Sequence, residues 1–505
     1  MENSARRGWA YAFILAALWG VLPAIPTLLS GELLGHPWTD LYPSVWGMWW
    51  FASEQSLVVP TTLPMFVQGL GAPDGIPFFY SSTIHGALAT PLLSIFSVVD
   101  TWNILTILAR IATVVAAYAA AKAWGLKSDG ALVAAAVFAC SPFFHGYAVE
   151  GIVEGVDGWP IALWLWAVGT RKQVLSGVFF ALTIVSSFYM AATAMVLAVF
   201  IGPRCWVGVA LGLVLSSPVL YGFTSSFAGD SSVSPEVRSS MGTSISLWSP
   251  ALFTDGIQPF AKTSWLGFTA GFLATISGLR YRRAAALGLL FWFLSFGIGP
   301  VYELPLFSEL RFPYRFHAGT LIVMALLVGR WADTPKINSL RHLKGWILAA
   351  IIVVEGLLLG PIEPVIPGSP GDVDQVHSME AGAIVLDIPG PVAMEPNVRN
   401  PSRIRAKHFL YGQTLTGTKS PWVPDFNSVG VVSAEHPELI AVRQFDPLVS
   451  DEMPTSLPSL DWVDGIILHP EELNGRADTI EQMLLESGWR QRFGEIPSPV
   501  LYTRP

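Results

Sequence analysis

Long apolar segments separated by short polar loops recur along the first 362 residues of the chain. A helix that crosses roughly 30 Å of hydrocarbon needs about 17 to 25 apolar residues, and fewer where neighbouring helices bury it. The pattern therefore predicts a mainly α-helical, polytopic transmembrane bundle of about eleven helices. The predicted helices lie near residues 9–29, 103–123, 130–148, 158–170, 174–188, 189–203, 205–223, 263–280, 284–299, 315–331 and 345–361.

Two apolar segments need separate interpretation. The segment LATPLLSIFSVV, at residues 88–99, is too short for a span and is interrupted by Pro91, so we interpret it as re-entrant or interfacial. The N-terminus has the basic start and apolar core of a signal peptide. Its apolar part runs to about 20 residues without a clear cleavage site, so it is predicted to be the first transmembrane helix.

The pattern changes beyond the last of these helices. A Pro/Gly-rich linker, GPIEPVIPGSPGD, leads into short apolar runs that alternate with polar helical stretches. Such alternation is typical of a small α/β fold with buried strands. The predicted elements are strands at 383–389 and 464–470, a helix at 470–489 and a closing strand at 498–504.

Composition supports the membrane assignment. Hydrophobic residues make up 52% of the chain and charged residues 13%, so polar side chains are too few to cover a soluble globule. We divide the chain into a transmembrane domain at residues 1–362, with a long first outer loop at 30–102, and an extracytoplasmic α/β domain at 363–505. Cys140 and Cys205 both lie within apolar segments and are interpreted as small core residues without a disulfide.

The distribution of charge predicts the orientation of the chain. Lys and Arg in short loops resist translocation. Most of the basic loop residues fall on one side, which we assign to the cytoplasm together with the N-terminus: Arg6, Arg7, Lys122, Lys127, Arg171, Lys172, Arg204, Arg280, Arg282, Arg283 and those of 330–344. Residues 30–102 contain acids but no Lys or Arg. We therefore expect a multi-pass inner-membrane protein with a periplasmic C-terminal domain. The net charge of −8, spread over loops and tail, does not indicate a nucleic acid partner.

Asp40 is a candidate catalytic acid because of the segment that follows it. The stretch LYPSVWGMWWFASEQ is rich in Trp and Tyr, which favour membrane interfaces, and is predicted to form a helix along the outer surface. Asp40 would then lie at the membrane boundary, where the headgroup of a lipid-linked substrate is found. The alternative is an ordinary solvated loop carboxylate.

A second group of charged residues is expected on the same face. Arg311, Arg315 and His317, in SELRFPYRFHAGTL, lie at the outer mouth of a predicted helix, where a guanidinium suits phosphate recognition. Glu154 and Asp157, in VEGIVEGVDGWP, lie on the next short outer loop and are candidates for binding a metal ion or the acceptor. Helix anchoring by the basic residues is the alternative.

Two ionisable residues lie inside predicted helices. Arg110 and Glu355 each lie roughly two turns from the outer end of a helix, and a charge in the membrane usually marks a polar cavity. Both residues are candidates for an outward-facing pocket, with Arg110 as a second phosphate-binding group. Snorkelling or structural pairing is the alternative for either residue.

The order of these segments resembles the GT-C superfamily of polytopic glycosyltransferases. The resemblance lies in a first helix, a long outer loop with an early Asp, and the stretches AYAAAKAWGL, FACSPFFHGY and VSSFYMAAT. The later LRFPYRF and HFLYGQTLTGT pieces look more like a bacterial branch akin to YfhO-like membrane proteins.

This resemblance implies transfer of a sugar, as a hexosyl group, from a polyprenyl-phosphate donor to an acceptor on the outer face, with inversion. The Asp of the first outer loop acts in that family as a base or metal-organising acid, and Asp40 is the matching position. Leu41 follows it, so the paired acids of the family are not present at this point. Polyprenyl-phosphate sugar and membrane lipids are the expected partners, and Mg or Mn is a possible divalent cation.

Two other classes of function remain open on the sequence. A transporter or lipid flippase also combines many helices with intramembrane charges, but such proteins commonly show inverted repeats, and none is visible here. A non-catalytic scaffold for envelope assembly would use the external domain to bind a partner. The crowding of ionisable groups toward one face favours the transferase.

Overall fold

The structure is a computed structural model of the whole chain. It describes residues 2–35, 40–54, 66–77, 82–226, 265–303, 312–334, 345–359, 379–390, 408–422, 436–447, 449–494 and 498–504.

Helices dominate the N-terminal two thirds of the chain. Their bounds are α1 Glu2–Val21, α2 Ile25–Ser30, α3 Leu41–Glu54, α4 Thr83–Leu93, α5 Val98–Ala123, α6 Ser128–Ala139, α7 Pro142–Val149, α8 Val153–Val156, α9 Trp159–Gly169, α10 Gln173–Ser186, α11 Phe188–Ile201, α12 Trp206–Leu215, α13 Ser217–Ser226, α14 Phe268–Arg280, α15 Arg282–Leu294, α16 His317–Ala332 and α17 Gly345–Leu359.

A helix occupies the place of each predicted span. Three of the described segments are long and apolar enough to cross a membrane by length and composition: Arg6–Ser30, Val98–Ala123 and Ser128–Val149. Several others are apolar helices of 10 to 17 residues. The protein is thus an integral membrane protein with a mainly helical fold, and the number of eleven spans stays a prediction.

The predicted helix at 130–148 is two helices, α6 and α7, and this difference has a local cause. Pro142 has no N–H to donate and its ring disfavours a continued helix, so the chain ends α6 at Ala139 and starts again. Ser141 caps α7, since its hydroxyl accepts the N–H of Phe144 at 3.4 Å. Every residue of α6 from Gly130 to Ala139 is buried, which makes this Ala-rich helix the centre of the bundle.

One end of the bundle collects the basic residues. The Arg204 guanidinium lies 4.5 Å from the ring centre of Trp124, and the Lys127 N–H donates to the Asp333 carboxylate at 2.6 Å. Arg330 lies one turn before Asp333 in α16. We call this the basic end, and the opposite end, which carries Asp40 and residues 150–157, the acidic end. The described basic residues of this end include Arg6, Arg7, Lys122, Lys127, Arg171, Lys172, Arg204, Arg280, Arg282, Arg283 and Arg330.

The aromatic helix α3 is buried, which corrects its predicted position along the membrane surface. Trp46 is 1% exposed and Phe51 is fully buried, while the rings of Trp46 and Trp50 stack at 5.8 Å. Gly86 of α4 lies so close to Phe51 that a Cβ there would overlap the ring. The aromatic side chains that indicate an interface therefore fill a protein core.

The C-terminal region forms a four-stranded sheet with short helices. The elements are β3 Val385–Ile388, β4 Gly465–Leu468, β5 Arg490–Phe493, β6 Val500–Thr503, α18 His408–Thr416, α19 Pro437–Arg443 and α20 Ala477–Glu486. The strand order is β3-β4-β6-β5, with β3 parallel to β4 and the remaining pairs antiparallel. The predicted strands are present, and β5 is an addition to the prediction.

This sheet region and the first long loop share one hydrophobic core. The link is also polar: the Trp46 indole N–H donates to Gln413 Oε1 at 2.7 Å, and Gln413 Nε2 donates to the Gly69 carbonyl at 2.7 Å. The strand pair Phe66–Val67 and Ile76–Pro77, β1 and β2, lies in the same loop. The C-terminal region is therefore fixed on the loop that starts at Asp40.

Removing this amide is expected to loosen the contact. In Gln413→Leu, the buried Trp46 indole N–H loses the Gln413 acceptor, and an unsatisfied buried group costs about 1–3 kcal/mol. The Gly69 carbonyl loses one of its two donors and keeps the Ser420 N–H at 2.9 Å. We expect a lower thermal unfolding midpoint and faster proteolysis within residues 379–504. Gln482→Leu, at an exposed position of α20, is the matched control. Equal stability of the two variants would contradict the assignment.

Candidate active site

The candidate site lies where the first long loop meets the acidic loop, residues 150–157. Asp40 directly precedes α3, and its carbonyl accepts the Ser44 N–H at 2.8 Å, which is the N-cap position. The Asp40 N–H donates to the Glu150 carbonyl at 3.4 Å. The Val153 N–H donates to the Ser44 hydroxyl at 3.5 Å. Asp40 is therefore held in place by the backbone of the acidic loop.

Gly151 allows this close approach. Its φ is +65°, and a Cβ there would lie 2.5 Å from Leu41 Cα and 2.7 Å from Leu41 Cβ. Such distances require the backbone to shift, because the atoms they meet are not the flexible end of a side chain. Only glycine combines the left-handed conformation with room for the start of α3.

Gly151→Ala is expected to separate the two loops. The substitution adds about 1–2 kcal/mol of left-handed backbone strain as well as the overlap with Leu41. We expect a lower unfolding midpoint of the purified protein and faster proteolysis around the acidic loop. Gly31→Ala is the control, since Gly31 has φ +73° but no atom within 4 Å of an added Cβ. If both variants lose the same stability, the close contact with Leu41 does not hold the two loops together.

Arg315 joins the acidic loop to the start of α16. It lies in the 3-10 turn Pro313–Phe316, and its guanidinium forms an ion pair with Glu154. The Arg315 side chain is 5% exposed and that of Glu154 21% exposed. The two candidate residues are thus in direct contact, and the charge of Arg315 is balanced within the site.

Aromatic rings surround the Arg315 guanidinium. Its carbon lies 4.5 Å from the ring centre of Tyr189 and 4.7 Å from that of Phe312, and 5.9 Å from those of both Tyr147 and Tyr314. Rings at these distances attract a cation through their faces and exclude water. The surroundings therefore hold the guanidinium plane in a fixed orientation.

Tyr314 connects this ion pair to Asp40. Burial raises the pKa of the Tyr314 phenol, the Arg315 charge lowers it, and the Glu150 and Asp40 carboxylates raise it again. The Arg315, Glu150 and Asp40 charges are therefore all within range of the Tyr314 hydroxyl. The phenol stays protonated at neutral pH.

Three buried polar groups beside this cluster keep unused hydrogen-bonding capacity. Within the described ranges, the Tyr147 hydroxyl, Arg315 Nε and both ring nitrogens of His317 have no hydrogen-bond partner. His317 is fully buried, and its ring lies 5.7 Å from that of Phe143, which in turn lies 4.8 Å from Tyr147. Buried polar groups are normally hydrogen-bonded, so these atoms are suited to a polar ligand.

Asp157 has a different environment from Glu154. Its carboxylate lies 3.0 Å from His85 Nδ1, accepts the Trp159 indole N–H at 3.2 Å and lies 3.4 Å from the Ser186 hydroxyl. His85 and Asp157 are each about 2% exposed. Asp157 therefore fixes the acidic loop to α4 and α10. The sequence showed His85 only as an isolated histidine and gave no sign of this pair.

Arg110 is deeper in the bundle than expected, because α5 starts at Val98. At about 1.5 Å per residue it lies about 18 Å along the helix. A Cβ on Gly158 would come within 2.9 Å of Thr113, so this face of α5 packs directly behind the acidic loop. Arg110 is 5% exposed and lies on the same face. The buried polar residues of this face are Asn103, Thr106, Arg110 and Thr113.

Glu355 is not part of this cluster. Glu355 accepts the N–H groups of Phe268 and Thr269, the latter at 3.1 Å, so it caps the start of α14, and the structural alternative is confirmed for this residue. Arg311 lies outside the described residues.

The two acids considered for a metal ion already have protein partners. Glu154 is engaged by Arg315, and Asp157 by His85, Ser186 and Trp159. In the part of the chain that the structure describes, no group of three or more His, Cys, Asp or Glu residues is placed to hold a metal ion.

Comparison with known proteins gives a likeness in structure only. No family model matches the sequence, and no curated protein matches it. The fold is similar to the cryo-EM structure of the arabinofuranosyltransferase AftD from Mycobacteria, with a TM-score of 0.57 and 16% identity over 99% of this chain and 40% of that one. A mutant of the same enzyme gives a TM-score of 0.52 at 14% identity, over 99% and 41% of the two chains.

The chain thus spans about two fifths of the length of these structures. At this identity the likeness concerns the fold alone. The narrower resemblance to YfhO-like proteins receives no support.

Proposed function

We propose that the protein is a membrane glycosyltransferase of the GT-C type that takes a sugar from a polyprenyl-phosphate donor at the acidic end of its bundle. The supporting observation is the convergence of Asp40, Glu150, Tyr314 and the Glu154–Arg315 pair at that end. The fold likeness to an arabinofuranosyltransferase supports the same class, and makes an arabinofuranosyl donor the first one to test.

Asp40 acts as the general base in this proposal. An inverting transfer needs a group that takes the proton of the acceptor hydroxyl as it attacks the anomeric carbon. The N-cap position of Asp40 and the hydrogen bond of its N–H to the Glu150 carbonyl fix the Asp40 backbone beside the acidic loop. Glu150, itself 3% exposed, holds Asp40 through its backbone.

Arg315 stabilises the departing phosphate. Negative charge grows on that phosphate in the transition state, and donors fixed in advance around it lower the barrier. Arg315 retains its Nε–H beyond the ion pair with Glu154, and the Tyr147 and His317 groups lie beside it. Arg110 lies beneath the acidic loop and adds positive charge below the same site. The prenyl chain remains in the bilayer, where each buried methylene contributes about 0.8 kcal/mol.

The acidic end faces the periplasm in this proposal. The basic residues gathered at the opposite end would then be cytoplasmic, in line with the positive-inside rule. The C-terminal sheet, fixed to the first long loop through Gln413, would lie on the same side as the site.

The test uses the full chain reconstituted in sealed vesicles. The probe is a polyprenyl-phosphate arabinofuranose labelled in the sugar, offered with a panel of octyl glycosides as acceptors. We expect label to move to an acceptor with inverted anomeric configuration. Movement of intact labelled donor across the bilayer without any transfer would instead establish the transporter or flippase alternative.

A further inference from the structure

An apolar cavity lies at the basic end of the bundle, away from the candidate active site. It measures about 150 Å³, and side chains of α5, α6, α9, α11, α15 and α16 line it. All of these side chains are aliphatic or aromatic. They include Trp124, Phe138, Leu165, Ile201, Leu287 and Leu326. A cavity with such a lining does not hold ordered water, and one of this size accepts a hydrocarbon group of about six carbons.

The cavity is accessible from the perimeter of the bundle. Its inner wall, with Phe138 and Leu197, is buried, whereas Ile201, Leu287 and Leu326 are half-buried. In a membrane protein the perimeter is surrounded by lipid chains. A chain that entered here would restore the dispersion contacts that the lining side chains lack across the cavity.

Basic side chains border the same cavity. The Arg204 guanidinium lies over Trp124, a lining residue, and Arg282 and Arg283 directly precede Ala284, another lining residue. All three arginines are exposed. A guanidinium binds phosphate oxygens bidentately, and basic pockets at the membrane surface attract anionic headgroups.

Few acidic groups oppose this charge. Asp333 lies at the basic end, but its carboxylate accepts the N–H groups of Lys127 at 2.6 Å and Gly130 at 3.0 Å. Asp129, in the first turn of α6, is a second acid of this end. The border of the cavity is therefore strongly positive.

We propose that this end is a binding site for one anionic diacyl phospholipid. Arg204, with Arg282 and Arg283, binds the phosphate, and one acyl chain enters the cavity past Leu287. The site lies at the opposite end of the bundle from Arg315 and is independent of the proposed transfer reaction.

Native mass spectrometry of the purified full chain tests this proposal. The probes are dioleoyl phosphatidylglycerol and dioleoyl phosphatidylcholine. We expect one phosphatidylglycerol molecule to be retained, with phosphatidylcholine at least tenfold weaker. Arg204→Gln removes the headgroup contact at an exposed position, and Ala284→Phe fills the cavity. Leu289→Phe, on an exposed face of the same helix, is the control for added bulk and Arg492→Gln the control for lost charge.

Loss of the preference in Arg204→Gln and of retention in Ala284→Phe, with both controls unchanged, supports the site. The proposal is overturned if the wild-type protein binds both lipids equally. It is also overturned if both variants keep the preference. If Arg204→Gln loses the preference but Ala284→Phe still retains phosphatidylglycerol, the headgroup binds the arginines and the acyl chain does not enter the cavity. That result would overturn the site as stated. If the Ala284→Phe protein does not fold, the lipid preference of Arg204→Gln decides whether the proposal holds.

Discussion

Asp40→Asn is expected to reduce sugar transfer by at least about 100-fold, because a positioned general base typically contributes about 10²–10⁴-fold to the rate. Asn and Asp are equally good N-cap residues, so the start of α3 should be preserved while the proton acceptor is lost. The contact of the Asp40 N–H with the Glu150 carbonyl is a backbone contact and is also unchanged. The measurement is the transfer rate at saturating donor, together with donor binding and the unfolding midpoint.

Two further variants test the role of Asp40. Asp40→Ala removes both the base and a good cap. Its activity should fall, and its free energy of unfolding should decrease by about 0.5–2 kcal/mol. Asp100→Asn changes an exposed acid in the first turn of α5 and should leave both properties unchanged. A fully active Asp40→Asn would show that Asp40 serves α3 as a cap and is not the base.

Glu154→Gln is expected to be the most destabilising single change at the site. It leaves the Arg315 guanidinium, 5% exposed, without its counter-ion, and removal of one partner of a buried ion pair costs about 3–5 kcal/mol. The unfolding midpoint of the purified protein should fall sharply. We also expect loss of transfer activity, since the acidic loop would no longer be fixed to the turn before α16.

A double-mutant cycle separates the pair from its neighbours. Arg315→Met removes the charge and leaves Glu154, which is 21% exposed and better hydrated, so it should be less damaging to stability than Glu154→Gln. The double variant Glu154→Gln with Arg315→Met should recover part of the lost stability, because no unpaired buried charge remains. Strict additivity of the two single effects would refute a direct pair.

Some of the site was predictable from the chain and some was not. Asp40, Glu154 and Arg315 were identifiable because charged residues are rare in this apolar sequence, and all three lie at one end of the bundle. Their partners were not identifiable. Glu154 and Arg315 are 161 positions apart, and His85 and Asp157 are 72 apart, without a local pattern that joins them.

The burial of α3 has a related explanation. Trp and Tyr at helical spacing are favoured both at a membrane interface and in a protein core. The sequence of α3 is compatible with either place. The helix is buried because Gln413, 367 positions away from Trp46, binds the Trp46 indole and because C-terminal residues cover the helix.

The sequence by itself therefore determined where the helices and most of the strands lie, and which loops are basic and which acidic. These properties depend on the hydrophobicity, spacing and charge of neighbouring residues. Only the tertiary structure decided which apolar surfaces meet protein and which face lipid, and which buried charges pair. The transfer of a side chain out of water has nearly the same free energy in either apolar environment, and ion pairing depends on distances that only the packed chain defines.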